Sequence, residues 1–225
     1  MLQRSKKHIP QEANDALDAA ITMDELHVAV KQGKKHKTLS CDGISHDFFQ
    51  LTWETPQYDM LEIMNQMFTD EKMMDSQNHG IILCLKKIPR PTQPEDYRPL
   101  NLLNADFKFL AWIIANRIRP WINDLLHPSQ YCGVLDNNIL GAISAIRDTI
   151  ADSELTHNPV CIVSLDFKGA FGIAHSYLLT MLESYGFSSK FRQRLMRMYS
   201  SVTSSIQVNG HISSPMPIKC SIRQG

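Results

Sequence analysis

Val160-Cys161-Ile162-Val163-Ser164-Leu165 is a nearly continuous apolar run that stops at Asp166. A strand with one wet face alternates apolar and polar residues; a run of this kind reads as a strand covered on both faces. It therefore predicts a sheet with other elements packed against it. A second β signal lies downstream. Ser204 to Val208 and His211 to Ser213 flank Asn209-Gly210, a pair that tolerates positive φ at both positions of a tight hairpin turn. With nothing expected after it to cover its edge, this hairpin predicts an exposed strand edge and poor stability for the isolated chain.

The remaining pattern is mostly helical. Thr22-Met23-Asp24-Glu25 has capping-box spacing ahead of a helix closed by Gly33. Leu61, Met64, Met67 and Phe68 recur at helical spacing between Tyr58 and Phe68, and mark a core-facing helix. Ala105–Arg119 carries a wide apolar face, and Pro120 is expected to divide it from a second helix ending near Leu126. Further helices are predicted over Ser176–Tyr185 and Ser189–Ser200, separated by Gly186. Ile81 to Leu85 reads as a strand running into an extended loop that holds Pro89, Pro91, Pro94 and Pro99. The expected class is α+β with a helix-rich N-terminal part.

Charge balance excludes a uniformly basic nucleic-acid-coating protein, because 23 Lys and Arg offset 23 Asp and Glu. The balance is uneven along the chain. Residues 1–79 carry 8 cations against 13 anions, and residues 80–225 carry 15 against 10. An anionic partner is thus expected to prefer the second part. Lys34 to Lys37 is a short basic run of the sort that is usually just solvated. The five cysteines are far apart with no C-x-x-C pair, and no second pair joins His127 and Cys132. This argues against a disulfide framework or a zinc site. No run approaches the length of a membrane span.

The chemistry-bearing residues gather in two places. Asp166 follows the apolar run and precedes Lys168-Gly169-Ala170-Phe171-Gly172. A carboxylate beside a small-residue turn suits a magnesium-bound polyphosphate, although a lone Asp is more often a cap of the next segment. Lys87 and Arg98 flank the proline loop and can hold phosphate, one as a point charge and the other as a fork. Each alone is an ordinary surface charge. Together with Asp166 they predict a cation-lined flap facing a metal-bearing strand.

These residues carry a resemblance. Leu85-Lys86-Lys87, Tyr97-Arg98-Pro99-Leu100-Asn101-Leu102-Leu103-Asn104, Phe107-Lys108 and Ala115-Asn116-Arg117 follow one another as in the fingers of reverse transcriptases from LINE-type (non-LTR) retrotransposons. His127-Pro128-Ser129-Gln130 is similar to the segment before that family's palm, and Leu165 to Phe171 resembles the palm motif with the first catalytic Asp. Ile222-Arg223-Gln224-Gly225 resembles the next motif, and Asp42-Gly43-Ile44 after Lys37 resembles an upstream one.

The resemblance implies fingers and a partial palm of a right-hand polymerase. Residues 1–79 would form a helical region leading into the fingers, 80–159 the fingers, and 160–225 a palm cut before the Tyr-x-Asp-Asp hairpin. It implies that Asp166 is catalytic and holds Mg²⁺. It also implies that Lys87, Arg98, Phe167, Lys168, Gly169, Ala170, Phe171 and Gln224 bind the incoming dNTP, with Phe171 as a steric gate and Arg223 nearby. The implied partners are an RNA template, a DNA primer and dNTPs, in the cytoplasm or nucleus, without a membrane; no oligomeric state follows. Three departures stand out: the family's A-F-D is Ala170-Phe171-Gly172, a Gly-Arg is Asp136-Asn137, and an Asp-Asn is Gly141-Ala142. The sequence contains no Asp-Asp pair. The expectation is a transposable-element fragment with reverse-transcriptase ancestry that is inactive alone. A non-catalytic nucleic-acid-binding remnant and an unrelated nucleotide-binding α/β domain are the alternatives at this point.

Overall fold

The computed structural model describes residues 7–69, 73–134, 137–166 and 172–220. Nine helices and five strands lie within these residues. The helices are α1 (Gln11–Asp18), α2 (Met23–Gln32), α3 (His46–Thr52), α4 (Gln57–Thr69), α5 (Asp75–Asn78), α6 (Ala105–Leu125), α7 (Ile139–Thr156), α8 (His175–Ser184) and α9 (Ser189–Arg197). The strands are β1 (His79–Lys86), β2 (Tyr97–Leu102), β3 (Thr203–Val208), β4 (His211–Ile212) and β5 (Met216–Pro217). The fold is mixed α and β, as the sequence pattern predicts.

Local chemistry starts the helices where expected. In α2 the Thr22 hydroxyl accepts from the Glu25 amide at 3.3 Å, and the Glu25 carboxylate accepts from the Thr22 amide at 2.9 Å. Two donors that a helix start leaves unpaired are thereby satisfied. Ser188 caps α9 by accepting from the Phe191 amide, and Ser45 caps α3, a helix outside the expected set, by accepting from the Phe48 amide. The hairpin over residues 203–212 forms as read: Asn209 and Gly210 take φ of 50° and 81°, and Gln207 and Val208 pair with Ile212 and His211.

The sheet order is β2-β1-β3-β4, with β5 also paired to β3. β1 runs antiparallel to β2 and parallel to β3, so both of its edges are filled. Thr203 and Ser204 at the start of β3 pair with Pro217 and Met216 of β5. β5 therefore extends the cover of β3 past β4, while β4 is itself last in the strand order, the edge position expected of the hairpin.

Gly80 explains how the three central strands lock. Its Cβ position is filled by the Asn101 side chain of β2, which passes over β1 and donates to the Ser204 hydroxyl of β3 at 3.3 Å. A side chain at residue 80 would block that crossing.

The core lies where α1, α2, α4, α6 and α9 converge, around Leu17, Leu26, Met64, Phe109, Leu110, Ile113 and Phe191, all nearly inaccessible to solvent. Phe109 meets the rings of Phe49 and His46 edge-on at 5.4 and 5.2 Å. Asn14 fastens α1 to the α8–α9 corner: its amide donates to the Gly186 carbonyl at 3.0 Å and its oxygen accepts from the Ser188 amide at 2.9 Å.

Two expectations are overturned. Pro120 does not divide a pair of helices; α6 runs unbroken through it for 21 residues. The apolar face continues past the proline, with Leu125 buried and Trp121 packed on the core, and this burial offsets the one lost hydrogen bond. The second correction concerns residues 160–165, which form no strand. Val160, Ile162, Val163 and Leu165 are all at least half exposed. A strand needs a neighbour, and among the described strands β1 is filled on both edges, β3 is taken by β1, β4 and β5, and β2 carries Pro99.

Candidate functional site

The proline loop is a built structure. β1 and β2 pair from Ile81↔Leu102 to Lys86↔Tyr97, and the Lys87 amide extends the ladder by donating to the Asp96 carbonyl at 2.8 Å. Inside the loop the Asp96 carboxylate accepts from the amides of Thr92 and Gln93 at 2.8 and 2.9 Å. Those two bonds, Gln93's first, hold its carboxyl below the usual range.

Arg98 lies opposite Leu85, two residues before Lys87. Side chains alternate along strands, so Lys87 and Arg98 are diagonal neighbours on one face of the ribbon. Both are exposed. The Lys87 ammonium donates to the Glu95 carbonyl at 2.8 Å, which positions it against the loop with two further N–H donors. A ribbon face that carries both cations is present.

Among the described residues its expected counterpart is not joined to it. Asp166 sits at the end of the extended, exposed stretch 160–166 rather than at a strand end. Among the described residues it has no hydrogen-bonded or ion-paired partner, and it is not brought into contact with Lys87 or Arg98. The turn residues Phe167, Lys168, Gly169, Ala170 and Phe171, and also Arg223 and Gln224, lie outside the described residues. No group of three or more His, Cys, Asp or Glu among the described residues is placed to hold a metal ion. Magnesium asks for about six oxygen ligands with one or two carboxylates, and two ions ask for more. One exposed carboxylate does not complete such a site.

Other residues of the resembling segments prove to be structural. Arg117, 8% exposed, pairs with the Glu25 carboxylate through Nε and Nη2 at 2.6 and 2.7 Å and donates to the carbonyls of Ala19 and Ala20 at 2.8 Å. Burial pushes the Glu25 carboxyl up, but the Arg117 bonds, the Thr22 amide and the guanidinium charge outweigh it, and its pKa falls below the ordinary value.

Asn104 and the Asp42 turn also meet. The Ser40 hydroxyl donates to the Leu102 carbonyl at 3.0 Å, and the Cys41 thiol donates to the Asn104 carboxamide oxygen at 3.4 Å. This brings Asp42 within electrostatic reach of Asp106 and Lys108 at the start of α6. Burial pushes Asp106 up, helped by the Asp42 charge and opposed by the Phe107 amide. Burial pushes Lys108 down, and Asp42 opposes this. Spacing alone carries no sign of this cluster, because its members lie more than 60 residues apart.

Residues 86–225 match the reverse transcriptase (RNA-dependent DNA polymerase) family. The chain belongs to that family, and the match encloses Lys87, Arg98, Asp166 and Gln224. It is also similar to the transposon TX1 uncharacterized 149 kDa protein of Xenopus laevis, with 27% identity over 218 residues. That alignment takes in 96% of this chain and 17% of the relative. The chain therefore spans about a sixth of the relative's length. No described helix is long and apolar enough to cross a membrane.

Proposed function

We propose that these residues are the nucleotide-binding part of a LINE-type retrotransposon reverse transcriptase, an RNA-dependent DNA polymerase. The observation that carries this reading is the β1–β2 ribbon, which puts Lys87 and Arg98 on one exposed face inside the family-matched segment. Two cations so placed suit a triphosphate: the guanidinium holds two oxygens at once and the ammonium neutralises a third. In this reading residues 80–159 are fingers, 160–225 belong to the palm, and residues 1–79 lead into them. Phe167 to Phe171 and Gln224 complete the dNTP site, with Phe171 beneath the sugar. Asp166 supplies one carboxylate ligand to magnesium, an RNA template and DNA primer are the other substrates, and the setting is intracellular.

Two metal ions carry four positive charges, which one carboxylate does not balance. We therefore expect the 225 residues by themselves to bind dNTP without incorporating it. Titration of Mg²⁺–dTTP into the purified chain should give saturable binding that weakens at least tenfold in Lys87→Gln/Arg98→Gln. Unchanged affinity in that variant overturns the triphosphate role. Primer extension on an RNA template should show no product; incorporation that disappears in Asp166→Ala overturns the expected inactivity.

A further inference from the structure

The α9 helix carries Lys190, Arg192, Arg194 and Arg197 and no acidic residue in its nine positions. The four cations divide between two sides. Lys190 and Arg194 both donate to the Asp18 carbonyl of α1, at 3.3 and 2.9 Å, and Arg194 also lies over the Phe68 ring at 4.0 Å. Those two fasten α9 to the core. Arg192 and Arg197 instead line an open cavity of about 510 Å³ between α8 and α9, together with Leu179, Ser189, Gln193 and Ser200.

The polar groups of the cavity, set among Leu179 and Met196, are underused by the protein. Arg192 pairs through Nη1 with Glu183 of α8 at 3.1 Å, yet its Nε–H is buried with no hydrogen-bond partner among the described residues. Such a donor costs free energy unless something accepts from it. Arg197 gives one N–H to the Thr69 carbonyl at 2.8 Å, which anchors the guanidinium at the cavity wall. Each guanidinium has five N–H donors, so even with the Ser200 hydroxyl spent on the Arg197 carbonyl at 2.9 Å, the two guanidiniums, the Ser189 hydroxyl and the Gln193 carboxamide present more donors than the protein consumes. Glu183 is the one acid bonded to this set and is itself two-thirds exposed.

We propose that the α8–α9 cavity binds a phosphodiester of a nucleic-acid strand, at a place separate from the Lys87–Arg98 ribbon. The chemistry fits an oxyanion: Arg192 and Arg197 supply charge and paired N–H donors, and Ser189 and Gln193 supply neutral ones. A free phosphate offers the same oxygens, but the cavity is open and larger than one ion needs, as suits a continuous backbone. This inference rests on the polymerase reading for its choice of a nucleic-acid strand. The role it assigns is to hold the strand in place, since phosphate contacts position and do not read sequence.

The test is binding of a fluorescently labelled single-stranded RNA to the full chain across a salt series. Arg192→Gln/Arg197→Gln should weaken binding tenfold or more and reduce the slope of log K against log[salt] by about one to two. Because Arg197 also bonds Thr69, that variant risks the fold. Gln193→Glu avoids this: residue 193 is exposed and makes no hydrogen bond among the described residues, so its new charge should weaken RNA binding while the melting temperature stays the same. Inorganic phosphate at millimolar concentration should compete poorly with RNA. Affinity and salt slope unchanged in both variants overturn the inference, and so does displacement of RNA by phosphate at equal site occupancy. Mg²⁺–dTTP binding serves as the separating measurement. If it persists while the RNA result is negative, the cavity assignment fails alone; if it is lost in Lys87→Gln/Arg98→Gln while Gln193→Glu still weakens RNA binding, both readings stand.

Discussion

The two longest helices, α6 and α7, make opposite uses of similar residues. α6 buries Phe107, Phe109, Leu110, Ile113, Ile114 and Leu125 in the core it shares with α1 and α2. α7 has the right spacing for the same purpose in Ile139, Ile143, Ile146 and Ile150, yet none of its residues is buried and these four are 45 to 70% exposed. The segment after it, with Val163 and Leu165, is exposed in the same way. Apolar content is a demand for cover and does not supply it. Around α6 that demand is met by elements drawn from both ends of the chain; around α7 Tyr131 lies against Gly141, but the described residues leave the four isoleucines exposed.

The sharpest way to break this contrast is truncation at its buried extreme. Phe109→Ala should destabilise the chain by about 4 kcal/mol, read by thermal or denaturant unfolding, because a ring touching Phe49 and His46 leaves a cavity behind. Loss below about 1 kcal/mol would mean that α6 is no better packed than α7.

The Glu25–Arg117 pair is the next measure, since it ties α2 to α6. Glu25→Gln should cost about 2 kcal/mol near neutrality. A depressed carboxyl stabilises above its unfolded pKa, near 4.5, and that contribution is lost as pH falls through the lower folded value. The difference between wild type and variant should therefore shrink as pH drops below about 4.5 and be flat above it. A difference independent of pH would sink the ion-pair account.

Gly80→Ala probes the strand crossing and should destabilise by about 1.5 kcal/mol, the Asn101 amide having to leave Ser204. Ile146→Ala, at the exposed extreme, should change stability by less than about 0.5 kcal/mol. A larger loss would show α7 to be covered in solution.

Features encoded by neighbours in sequence were legible. The Thr22–Glu25 box, the Asn209-Gly210 turn, the Met64–Phe68 face and the two flap cations all sit where the pattern predicts. A helix over Ile139–Thr156 was not among the expected elements, although the isoleucine spacing and the Asn138 cap, which accepts from the Leu140 and Gly141 amides, both signal one. Features that depend on distant partners were not legible. Nothing near Ser204 shows that it pairs with Gly80, and nothing near Arg117 shows that it closes on Glu25. The apolar run before Asp166 misled for the same reason: periodicity reports what a strand requires, and pairing depends on which edges other strands leave open. Of the candidate site, Lys87 and Arg98 share one face of the β1–β2 ribbon, whereas Asp166 stands apart from them among the described residues.

The parallel pairing of β1 with β3 also has a consequence during synthesis. His79 and Thr203 are joined by a 3.0 Å side-chain hydrogen bond across 124 residues of chain. At about 5 to 20 residues per second, a ribosome takes roughly 6 to 25 s to make that intervening stretch. For that interval β1 and β2 can pair while the far side of β1 has no strand to bond. The nascent chain thus carries an open, apolar edge from Ile81 to Leu83 until β3 is delivered, and it is in that window that a chaperone, or another copy of the chain, has its best opportunity to bind.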